Sequence, residues 1–96
     1  MRSRYTAYAR RDADYLLYSW HPEMRPDSIE FPPGHDWIDL DILETEQGNI
    51  LDTHGVVEFA ATYESGAEIH VLRERSLFNR HNGRWVYIGP EQAELI

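Results

Sequence analysis

Residues 37–88 alternate apolar and polar side chains with period two, in four runs separated by turn signals, a pattern that only strands satisfy. The first run, 37–46, sets Leu40 and Ile42 opposite Asp39 and Asp41 and meets a turn signal at Gly48 and Asn49. The second, 56–63, sets Val57, Phe59, Ala61 and Tyr63 against Glu58, Ala60 and Thr62, and Ser65 and Gly66 break it. In the third, 68–79, His70, Leu72, Glu74, Ser76 and Phe78 oppose Ile69, Val71, Arg73, Arg75 and Leu77. Asn82 and Gly83 form a strong hairpin signal, and 84–88 closes the set. Four consecutive strands joined by short turns make an antiparallel meander.

The first twenty residues read as helix. Tyr5, Tyr8 and Ala9 share a face, with Arg2, Arg10 and Arg11 elsewhere. Asp12 is a candidate second N-cap with Asp14 in the first turn, so two short helices or one bent helix are expected, with the bend near Arg11 and Asp12. The second helix carries Tyr15, Leu16, Ser19 and Trp20 and should stop at His21, because Pro22 disfavours the α region in the residue before it. Pro22, Pro26, Pro32, Pro33 and Gly34 mark 22–34 as loop. A sheet with an apolar face must bury it, and the helices are the available cover. The expectation is one α+β domain over 1–96, since this length supports a single core.

Composition narrows the chemistry. There is no Cys, which removes thiolate nucleophiles, cysteine zinc sites and disulfide staples. All nine basic residues are Arg, so no Schiff-base or P-loop lysine exists on this chain. Net charge is −8, and residues 26–72 hold eleven acids and no base, so a phosphate backbone is repelled and no nucleic-acid partner is expected. No apolar run is long enough to span a bilayer and no export signal opens the chain, so no membrane partner and a cytoplasmic location are expected.

Five segments, in order, carry a resemblance: MRSRYTAYA at 1–9, DYLLYSWHP at 14–22, GVVEFAATY at 55–63, LRERSLFNR at 72–80 and NGRWVY at 82–87. Together they span 1–87 and resemble the YchJ-like (UPF0225) bacterial proteins, specifically their middle domain. The resemblance implies an NTF2-like cone, N-terminal helices packed on a curved four-stranded antiparallel sheet, with a cavity at the open end. Family members carry cysteine-rich, metal-binding SEC-C segments at one or both ends, and this sequence has none. It is expected either to be trimmed from a longer protein or to stand alone. Other holders of the cone fold include isomerases and dehydratases, but a fold does not transmit an activity.

Glu74 shares a strand face with Leu72 and Phe78, so an inward Glu74 is desolvated, the usual setting of a general base. The structural alternative pairs it with Arg4 or Arg11, or has it accept backbone N–H bonds, stitching helix to sheet. Ser76 is a candidate ligand donor or a satisfied core hydroxyl, and no nucleophile elbow surrounds it. His70 lies on the same face near the strand's start. His21, after Trp20, is either an acid or base at the cavity mouth or a residue that suits a helix C-terminus. Tyr8, Trp20, Tyr63, His70, Glu74 and Ser76 are the expected cavity residues. His35, Asp36, Asp52, His54 and His81 lack convergent metal-ligand spacing, so neither a metal nor another cofactor is expected.

Two functions follow as expectations. The first is a binding or interaction module that holds a small molecule in the cone or dimerises through its sheet. Val56, Ile69, Val71 and Leu77 on the second face argue for a homodimer. The second is a small acid–base enzyme with Glu74 as base and a Tyr or His21 polarising the substrate.

Overall fold

The computed structural model describes residues 1–47 and 52–95, so the turn expected at Gly48 and Asn49 lies outside the described residues. Helix α1 (Arg2–Arg10) ends on Arg11, which adopts the left-handed conformation at φ 58° and donates its N–H to the Tyr8 carbonyl at 3.2 Å. The next N–H, of Asp12, reaches the Ala7 carbonyl at 2.8 Å, so two carbonyls at the helix end are satisfied without a glycine. Asp12 then caps α2 (Ala13–Tyr18), its carboxylate accepting from the Tyr15 N–H at 3.1 Å. The bend therefore falls where the sequence places it.

Helix α2 stops earlier than its proline predicts. The backbone of 19–21 leaves the helix to pair with residue 87: Tyr87 N–H donates to the Ser19 carbonyl and His21 N–H to the Tyr87 carbonyl, both at 2.8 Å. An edge strand offering unpaired backbone groups outcompetes one more helical turn.

Strands β1 (His35–Gln47), β2 (His54–Ser65), β3 (Glu68–His81) and β4 (Arg84–Leu95) form one antiparallel sheet in the order β1-β2-β3-β4. The class is α+β, with two short helices and a four-stranded meander. β4 runs well past Ile88, where the alternation suggested an end. Register shifts beside Ser76 and Phe78 absorb two extra residues of β4, and Pro90 is tolerated because β4 is an edge strand. β1 shifts register at Trp37/Asp39 and Ile42/Glu44, and the residues skipped, Ile38 and Leu43, are both exposed.

The inner face of the sheet meets α1. Leu40, Phe59 and Ala61 form its core, with Met1, Tyr5, Trp37, Ile42 and Val57 packed around them. On α1 the residues buried outright are Arg4 and Ala7, while Tyr5 and Tyr8 are half-buried and Ala9 is exposed. The outer face mixes an ionic network with apolar side chains, Val56, Val71 and Leu77 half-buried and Ile69 exposed. Glu58 receives Arg73 Nε at 2.7 Å and Arg75 Nη1 at 2.8 Å, and Arg75 reaches on to Glu46 and Glu44. Among the described residues no helix is long and apolar enough to cross a membrane.

Candidate functional site

Register decides which polar groups enter the space between α1 and the sheet. Phe59 on β2 faces Glu74 on β3, and Phe78 faces Tyr87 on β4, so Glu74 and Tyr87 share the inner face. The Tyr87 hydroxyl donates to Glu74 Oε2 at 2.9 Å, and the Ser76 hydroxyl donates to the same oxygen. Ser76 is fully buried beneath it. Burial, and then the negative charge and hydrogen bond of Glu74, push the Tyr87 phenol well above its ordinary range, so Tyr87 is a neutral donor held to a carboxylate.

Arg4 enters from the helix side. It is 3% exposed. Its Nη1 donates to the Leu16 carbonyl at 2.9 Å and to Ser19 Oγ at 2.7 Å, tying α1 to the end of α2. The guanidinium carbon lies 4.9 Å from the Trp20 ring centre and 4.5 Å from that of Tyr87, between two aromatic rings. Burial lowers the Arg4 pKa from its ordinary value, and the neighbouring Tyr8 and Tyr87 oppose that shift. Neither Arg4 nor Arg11 pairs with Glu74, contrary to the structural expectation. Two hydroxyls occupy the carboxylate instead, because Tyr87 stands on the adjacent strand.

Two cavities meet at Met1 and Arg4. The smaller, about 180 Å³, is walled by Tyr5, Tyr8, Trp37, Phe59, Leu72 and Tyr87, and Glu74 opens into it. The larger, about 500 Å³, is bounded by Ser3, Tyr15 and Ser19 above and by Val57, Phe78 and Trp85 below, with Glu46 and Gln47 among its lining. Both spaces open to solvent, as clefts beside α1 rather than sealed voids.

Of the residues singled out in the sequence, Tyr8 and Glu74 line the smaller cavity, and Ser19, named for the stripe of α2, lines the larger. Trp20 stands behind Arg4 and Ser76 beneath Glu74. Tyr63 and His70 lie toward another end of the sheet, where Tyr63 is stacked between His35 at 4.8 Å and His70 at 5.3 Å, with Glu68 on His70. His21 is away from both cavities. Its ring meets His81 at 4.9 Å and its Nδ1 accepts from the Glu23 N–H, because the β4 bridge carries the chain past the sheet edge. Among the described residues no three His, Asp or Glu side chains converge on a metal position.

Sequence reasoning names Arg4 only as a counter-ion for Glu74 and gives Tyr87 no defined role at the site. Tyr87 was legible in principle, because counting back from the Asn82–Gly83 turn pairs it with Phe78 on the face of Glu74. The i, i+4 spacing from Tyr8 sets Arg4 apart from the exposed Arg2 and Arg10, but not its seat between Trp20 and Tyr87.

Many known proteins are similar to this chain in sequence. The family model described as YchJ, middle NTF2-like domain, matches residues 1–90. A UPF0225 protein of Streptomyces avermitilis is 47% identical over 94 residues, covering 98% of this chain and 64% of that protein. Another UPF0225 protein, from Pectobacterium carotovorum, is 45% identical over 96 residues, covering 92% of this chain and 61% of its own length. The chain thus spans somewhat under two thirds of these relatives. The solution structure of a SEC-C motif containing protein from Rhodopseudomonas palustris superposes with a TM-score of 0.82 at 31% identity, covering 98% of this chain and 76% of that one. On the family match and these identities, this chain belongs to the UPF0225 family, as its YchJ-type middle NTF2-like domain.

Proposed function

We propose that this chain is a small-ligand-binding module, its helices and sheet forming an NTF2-like cone that holds the ligand between α1 and the inner sheet face. The observation that carries this reading is the space itself. That space is two solvent-open cavities of about 180 and 500 Å³ that meet at Met1 and Arg4. The smaller is bounded by aromatic walls with a few polar groups at fixed positions, the usual make-up of a ligand site. The acid–base alternative needs Glu74 to take up a substrate proton. Its Oε2 is already committed to Ser76 and Tyr87, which suits a positioning carboxylate better than a base. The companion expectation, a homodimer through the outer face, would have to cover the Glu58–Arg73–Arg75 network, and charged cores are depleted at such interfaces.

Native mass spectrometry on gently purified protein, repeated after denaturation, tests both readings. The expected result is a mass excess of one small molecule per chain that disappears on denaturation. A bare mass, in protein that also takes up no small aromatic probe, would sink the ligand reading. The same spectrum counts the copies per particle and so decides the homodimer.

A further inference from the structure

Arg4 is a buried cation without an anion. Among the described residues it enters no ion pair, and its acceptors are a carbonyl and a hydroxyl, both on Nη1. Its Nη2 is buried and finds no acceptor. A second donor without a partner, the Trp20 indole N–H, belongs to the ring packed on the same guanidinium. Buried charges are normally paired, and a buried donor left unmade costs more than a made bond returns. Both donor atoms are buried, Trp20 lines neither cavity and the Tyr8 hydroxyl stands near the guanidinium, so what Arg4 presents to the cavities is a positive charge with no counter-ion.

Among the described residues Arg4 lines both cavities and is the one guanidinium in either. The smaller cavity also holds Glu74, which repels an anion. In the larger, the one acid in the lining is Glu46, half-exposed and already bound to Arg75 at 3.0 Å. Ser3, Tyr15 and Ser19 surround the Arg4 end, while Val57, Phe78 and Trp85 supply apolar wall. We propose that the larger cavity binds a small organic carboxylate, its charged group against Arg4 and its apolar body against Phe78 and Trp85. This assignment rests on the ligand-binding reading and names the ligand's class and its end of the space. Planar guanidinium and carboxylate match in geometry, and a hydrogen bond between two ionised groups is stronger than a neutral one.

The test titrates the intact protein with phenylacetate, phenylacetamide and phenethylamine while recording ¹⁵N signals of the arginine side chains and tryptophan indoles. Phenylacetate should bind at least tenfold more tightly than the other two and move the Arg4 and Trp85 signals. Arg4→Gln should abolish that preference. If Arg4→Gln does not fold, the wild-type spectra still decide: phenylacetate binding that leaves the Arg4 guanidinium unmoved overturns the proposal. Equal or tighter binding of the amide or amine overturns the carboxylate assignment but keeps a ligand cavity. Failure of all three probes overturns the assignment, and with a bare native mass it overturns the ligand reading as well.

Discussion

Tyr87 shows how much one hydroxyl can decide. It is neutral because burial and Glu74 both oppose its ionisation, and its hydrogen bond fixes the carboxylate beneath α1. Tyr87→Phe keeps the ring against Arg4 and Trp20 but removes that bond, so the variant should lose about 1–3 kcal/mol at neutral pH in urea titrations. The pH dependence has a definite sign. A phenol whose folded pKa is raised contributes stability fully present below its unfolded value near about 10 and lost as pH climbs through the folded one. Wild type should therefore weaken from about pH 10 upward, and its advantage over Tyr87→Phe should shrink there. An advantage that grows with alkalinity would refute the assignment. Glu74 and Tyr8 were legible at this scale because alternation and helical spacing put them on inward faces. The bond to Tyr87 was not, because a pattern of faces says nothing about which hydroxyl on a neighbouring strand comes within reach.

Elements in this chain are set by their ends. The Asn82–Gly83 turn holds both residues at positive φ, 52° and 82°, as a two-residue hairpin connection that matches strand twist demands. A Cβ at Gly83 would meet no atom within 4 Å, so any penalty there is conformational rather than steric crowding. Gly83→Ala should accordingly cost about 1 kcal/mol in chemical denaturation, with the fold intact. A stabilised variant would mean that the turn is not in this conformation. The boundaries that sequence misjudged share a cause. Helix α2 ends early because β4 needs Ser19 and His21 as edge partners, and β4 outlasts Gly89 and Pro90 because bulges absorb the irregularity. Local propensity is blind to both, since each is decided by a segment more than sixty residues away or by a neighbouring strand.

For the molecule as a whole, the two sheet faces do different work. The inner face carries the core, the cavities and the Glu74–Tyr87 pair, while the outer face carries Glu58 between Arg73 and Arg75. Hydrogen bonds from Arg75 and then Arg73 hold the Glu58 carboxyl below the usual carboxylate range. A depressed folded pKa contributes stability above the unfolded value near about 4.3 and loses it as pH falls through the folded one. Glu58→Gln should therefore be less stable than wild type at pH 7, with the gap closing during acid unfolding below about pH 4, as followed by circular dichroism. A gap independent of pH would show that the network adds nothing through charge. Alternation, turn chemistry and the cap at Asp12 determined from sequence alone that four antiparallel strands follow a helical segment broken or bent near Asp12, because those signals are local and each repeats at the period of its own element. Only the tertiary structure decided that Arg4 is buried without a counter-ion, that Glu74 binds hydroxyls rather than arginine, and that His21 stands apart from the cavities. Those outcomes depend on how strands slip in register and where a helix settles on a sheet, and such long-range packing leaves no periodic trace in the chain.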